Sequence, residues 1–160
     1  MENLLYKRGK RNNPMFSKVV LLLSSLFITA VMIRLFFFPN DIYFGYDQAR
    51  DSYKAIEVLK GDLKIVGPPS SLNENLFHGP LIYYVYAPIY YFSNLNPEAV
   101  AIIFRIFNAL GVLLVFGIGL TLFNIKVGLI SSLLFALSFE QTQYSLFLSH
   151  PSLAVLTVLL

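Results

Sequence analysis

The 160-residue chain contains no cysteine. That absence excludes disulfides, thiolate metal sites and a cysteine nucleophile, and it leaves the redox compartment open. Histidine is scarce as well: His78 and His150 stand far apart, outside any metal-ligand spacing, so a structural metal is not expected. Charge is short. Only 13% of residues are charged, while 56% are hydrophobic and 16% aromatic. Soluble domains carry roughly a quarter of their residues charged, so this composition belongs to an integral membrane protein. No internal repeat or low-complexity segment is visible.

The charge that remains is unevenly spread. Lys7, Arg8, Lys10, Arg11 and Lys18 all precede the first long apolar run, against one acid, Glu2; residues 41–74 then hold six acids and four bases. Beside an apolar span, a basic tail reads as the positive-inside signal. Nucleic acid is not an expected partner, because no stacking or base-reading motif accompanies the bases.

This reading predicts an all-α polytopic membrane protein. Residues 1–18 form a cytoplasmic basic tail and 19–38 the first span, whose twenty residues cover about 30 Å, the thickness of a hydrocarbon core. A cleaved signal peptide would need a small-residue cleavage site, and Leu35-Phe36-Phe37-Phe38-Pro39-Asn40 offers none. Arg34, near the far end of the span, is expected to snorkel to the interface. Residues 39–98 form an extracytoplasmic loop, 99–123 a second span, 124–126 a tight cytoplasmic turn and 127–148 a third span. Residues 151–160 start a fourth, covering about 15 Å, half a bilayer. A chain ending there leaves backbone groups unsatisfied in lipid. A longer natural product is therefore expected, with this chain as its N-terminal part, inactive alone.

Within the loop, 48–60 is predicted to be an amphipathic helix with Ala49, Tyr53, Ile56 and Leu59 near one face, Asp47 as its N-cap and Gly61 as its stop. Gly67-Pro68-Pro69-Ser70-Ser71 reads as a rigid loop. Pro80 opens a second short helix, 81–92, whose five tyrosines place it along the outer membrane surface.

Candidate chemistry concentrates in this loop. Asp47 is a carboxylate held at a helix start, a role that capping does not exclude. Asp51 lies one turn on, and Arg50 and Lys54 are placed to pair with either acid, as on a solvated helix face. His78 sits just before a proline-started helix, where free amides and the dipole attract phosphate; an interfacial histidine without ligand is the alternative. Arg105, inside an apolar helix, is a functional candidate. His150-Pro151 reads as a helix start.

Tyr46-Asp47-Gln48-Ala49-Arg50-Asp51 running to Lys60-Gly61, then His78-Gly79-Pro80-Leu81-Ile82-Tyr83-Tyr84, Arg105, and Ser145 to Leu153 occur in that order. This layout resembles the GT-C superfamily of membrane glycosyltransferases, in particular the protein O-mannosyltransferase and aminoarabinose transferase group. The family's motif opens Asp-Glu, where this chain has Asp47-Gln48, and Gly79 stands in place of a proline. The resemblance implies transfer of a sugar from a polyprenyl-phosphate donor to an acceptor hydroxyl on protein, lipid or glycan, outside the cytoplasmic membrane and with inversion. It implies Asp47 as general base, with His78, Arg105, Asp51 and Arg50 toward the donor phosphate or the acceptor, and no metal or other cofactor. A polytopic transporter or flippase subunit, with Asp47 and Arg105 lining a pathway, is the competing reading; a non-catalytic membrane anchor is a third.

Overall fold

The computed structural model describes residues 14–70, 73 and 75–160. Lys7, Arg8, Lys10 and Arg11 of the basic tail, and Ser71 and Glu74 of the loop, lie outside the described residues. Among the described residues seven helices follow in order: α1 Pro14–Leu35, α2 Tyr46–Leu59, α3 Leu81–Phe92, α4 Pro97–Leu122, α5 Ile125–Leu137, α6 Phe139–Leu146 and α7 His150–Leu159. The fold is all-helical, with no strand among the described residues. Two helices, Met15–Leu35 and Pro97–Leu122, are long and apolar enough to cross a membrane.

Local chemistry explains most helix ends. α1 starts before the expected residue 19 and stops at Leu35, short of 38, because Pro39 disfavours helical backbone at Phe38. Lys60 caps the end of α2, and Gly61 then takes φ +93°, a left-handed turn that stops the helix. Asn96 caps α4 by accepting from Glu98 N at 2.9 Å, with Pro97 at the first helical position. Asn124 caps α5 by accepting from Lys126 N and Val127 N. The expected continuous segment 127–148 is instead two helices. Ser138 is extended, and its side chain accepts from Gln141 N, so it ends α5 and caps α6 at once.

α4 is the hub: α1, α3, α5, α6 and α7 all pack on it. Its pairing with α5 depends on small residues. A Cβ added to Gly119 would lie 2.6 Å from Gly128 Cα, so the two backbones touch near their shared turn. Ala30, Ala109, Val112 and Ala136 fill the join of α1, α4 and α5. A second cluster joins α2 and α3 to α4 through Ala55, Ile82, Tyr86, Tyr90, Val100 and Phe104. Tyr86 meets Phe104 edge-on at 5.3 Å, a geometry worth about 0.5–1.5 kcal/mol beyond burial.

Three expectations are corrected by this packing. Arg34 does not snorkel. It is fully buried, with Nε donating to Asn108 Oδ1 at 2.7 Å and Nη1 donating to the Ala30 and Ala136 carbonyls. Acceptors from α4 and the open end of α5 replace water. Tyr83, Tyr86 and Tyr90 of α3 turn into the core between α2 and α4, while Tyr91 stays outside. α2 presents to the core Gln48, Asp51, Ser52 and Ala55, not its apolar face; Tyr53 is 70% exposed. The core there offers hydroxyl partners, as Ser52 Oγ lies 2.6 Å from Tyr90 Oη. Arg105 is also buried: it pairs with Asp41 through both carboxylate oxygens (2.9 and 3.2 Å) and donates to Arg34 O at 3.0 Å.

Candidate functional site

The site forms where the start of α2, the segment before α3 and the start of α7 converge. Two isolated bridges hold these pieces. Tyr43 pairs with Phe147, drawing the entry of α2 to the α6–α7 joint, and Pro69 pairs with Phe77. Around the second bridge, Gly67 N donates to His78 O at 3.0 Å and His78 N donates to Pro68 O at 2.9 Å. His78 is thus fixed by its own backbone. Gly67 is required there, since a Cβ would stand 2.3 Å from Gly79 O. The α6–α7 joint is closed by buried Ser152, whose Oγ reaches the carbonyls of Tyr144 and Phe147.

Asp47 is not the N-cap of α2. Gly45 holds that position, and its N–H donates to Gln48 Oε1 at 3.0 Å. Gln48 closes the helix end in the manner of a capping box. Asp47 is then free of the capping role, and its side chain is 64% exposed. Arg50 Nη1 donates to Asp47 Oδ1 at 2.8 Å and Arg50 Nε donates to Asp51 Oδ1 at 2.9 Å, with Nη2 forming an ion pair with the same oxygen at 2.9 Å. Asp51 is wholly buried, so the expected solvated charge face is one-sided; Lys54 pairs with Glu57 instead of either aspartate. Burial pushes the Asp51 carboxyl above its usual range against the pull of Arg50. Burial alone would lower Arg50, but its bond to Asp51 and the charges of Asp51 and Asp47 hold it above its ordinary value.

The two histidines, expected to be unrelated, come together with ring centroids 4.4 Å apart. A proline follows each at a helix start: His78 lies two residues before Pro80, the N-cap of α3, and His150 is the first residue of α7, followed by Pro151. That shared pattern was the one available signal for His150, which local sequence assigns only to a helix start. Burial lowers the His150 imidazole, and neighbouring His78 lowers it further, so a second proton on the pair is disfavoured. The N-cap of α7, Ser149, makes no side-chain cap bond.

A polar cleft of ≈360 Å³ is lined by Tyr43, Tyr46, Asp47, Arg50, His78, Ser149 and His150. A second, apolar groove of ≈610 Å³ runs along Phe135, Tyr144, Ala154, Val155 and Val158. His78, His150 and Pro151 line both. The structure therefore assembles Asp47, Arg50 and His78, adds His150, places Asp51 behind them, and leaves Arg105 out, committed to Asp41. Among the described residues, no group of three or more histidine and acidic side chains could hold a metal ion.

No protein-family model, curated protein or solved structure matches this chain.

Proposed function

We propose that this chain is part of a multi-pass GT-C-type membrane glycosyltransferase that moves a sugar from a polyprenyl-phosphate donor to an acceptor hydroxyl on the extracytoplasmic side. One observation carries the reading: the histidine pair stands where a polar cleft holding Asp47 meets an apolar groove. An amphiphile with phosphate at its polar–apolar junction suits that border. Its hydrocarbon would follow the groove and its sugar would enter the cleft.

In this reaction Asp47 takes the acceptor proton through Oδ2, the oxygen that Arg50 does not hold. The acceptor oxygen attacks the anomeric carbon, the bond from that carbon to the phosphate oxygen breaks, and the configuration inverts. The phosphate leaves as a monoester. His78 and His150 supply donors for its growing charge. Arg105 has no part in this step, because its partner is Asp41. The transporter reading has less support: neither Arg34 nor Arg105 lines the cleft or the groove.

The test is transfer from a polyprenyl-phosphate sugar in membranes by the full-length enzyme, comparing wild type with Asp47→Asn at matched protein level. Loss of a general base costs about 10²–10⁴-fold in rate. An exposed side chain outside the cap should move stability by no more than about 0.5 kcal/mol. Near wild-type turnover in Asp47→Asn would refute this mechanism.

A further inference from the structure

The mechanism above uses Asp47 and leaves Asp51 unexplained. Asp51 is completely buried, yet burying a carboxylate is costly unless it is paired and hydrogen-bonded. Its pairing is one-sided: Oδ1 takes two contacts from Arg50 at 2.9 Å, while Oδ2 is buried without a hydrogen-bond partner. Arg50 is the one cation that contacts this carboxylate among the described residues. Its other arm, Nη1, reaches outward to Asp47 Oδ1 at 2.8 Å. The guanidinium therefore lies between an inner carboxylate that solvent cannot reach and an outer one that is mostly exposed.

We propose that Asp51 is a positioning residue: it anchors Arg50 from inside the core, and Arg50 in turn holds Asp47 with one oxygen bound and the other turned free toward the cleft. This deepens the glycosyltransferase reading and rests on it for the role of Asp47. The asymmetry has a physical cause. An exposed i,i+3 ion pair is weak and would not by itself order Arg50. A buried partner is not diluted by water, and the planar guanidinium passes its fixed orientation to the second arm. Asp51 also makes no contact with the cleft: it is not among the residues lining it, whereas Asp47 and Arg50 are. A substrate contact for Asp51, expected from the sequence, is replaced by action through Arg50.

The experiment follows the Arg50 Nε–H in the arginine side-chain ¹⁵N spectrum of the 160-residue chain in detergent, with its signal assigned by loss in Arg50→Lys. Hydrogen exchange at this group reports which carboxylate orders it, whatever the catalytic outcome. Asp47→Asn is expected to leave exchange slow. Asp51→Asn keeps the side-chain shape and removes the charge that burial disfavours, so folding should hold; it is expected to speed exchange at least about tenfold, the size of a roughly 1.4 kcal/mol loss. Should Asp51→Asn fail to fold, slow exchange in Asp47→Asn still supports the anchor, and fast exchange there overturns it. Unchanged exchange in Asp51→Asn, or equal acceleration in both variants, also overturns the proposal. In membranes, turnover per folded enzyme should fall about tenfold in Asp51→Asn and further in Asp47→Asn. Full transfer by Asp47→Asn would remove the glycosyltransferase mechanism while leaving the exchange result to decide the anchor.

Discussion

Removing the carboxylate of Asp41 should be the most damaging single polar deletion outside the cleft. Arg105 is 1% exposed and Asp41 20% exposed. Asp41→Ala deletes two charge-assisted contacts, at 2.9 and 3.2 Å, and leaves a buried guanidinium with the Arg34 carbonyl at 3.0 Å. The Phe38 ring, 5.3 Å from Cζ, compensates little. Breaking a buried pair from one side costs about 3–5 kcal/mol because the remaining charge is stranded. Water reaches Asp41 at its rim, so the lower end applies, and about 3 kcal/mol is expected. Arg105→Met removes the charge while keeping a long side chain in place. The double variant Asp41→Ala/Arg105→Met should then recover at least about 2 kcal/mol relative to Asp41→Ala, a strong coupling. Equilibrium unfolding in detergent, followed by far-UV circular dichroism, measures all three. A cost below about 0.5 kcal/mol for Asp41→Ala, or no recovery in the double variant, would refute the claim that Asp41 neutralises a buried cation. In the transfer assay, Arg105→Met should reduce the amount of folded protein without changing the donor KM of what folds.

Three further outcomes are expected. Gly67→Ala drives a Cβ into the Gly79 and His78 carbonyls and should cost about 1–3 kcal/mol along with the fixed placement of His78; Gly79→Ala, which meets nothing within 4 Å, should be nearly neutral, and equal effects in thermal unfolding would contradict the clasp. The folded-state value of His150 lies below its ordinary 6.5, so its neutral form is the one folding favours. Stability is full above pH 6.5 and falls as pH drops from there through the folded value; thermal melts at stepped pH should show this slope, and His150→Gln should flatten it. A cysteine introduced at exposed Asn73 should react with an impermeant maleimide in intact cells, since the 39–98 segment is proposed to be extracytoplasmic; labelling only after permeabilisation would reverse the orientation.

Local signals in the chain located much of this architecture. Asn96-Pro97, Asn124 and Gly61 punctuate helices through caps and turns made within four residues, so their effect is readable without knowing the fold. The apolar stretches that became α1 and α4 are likewise properties of composition and length. Two local readings failed. Asp47 is a good capping residue, but the capping pair is Gly45 with Gln48, whose amide reaches back to the Gly45 N–H. The run 127–148 is apolar enough to be read as one helix, yet Ser138 caps a new one inside it.

What the amino-acid order determined by itself was therefore the placement of helices and the clustering of Asp47, Arg50 and Asp51 on one short segment. The tertiary structure alone decided which of these side chains are buried, and what they meet. Arg34 finds Asn108, Arg105 finds Asp41 and His78 finds His150 across separations that carry no periodic trace in sequence. The inward turn of the polar face of α2 has the same origin: Ser52 meets the Tyr90 hydroxyl contributed by α3. A buried polar group goes where a partner from another element can satisfy it, and that partner exists only once the helices have packed.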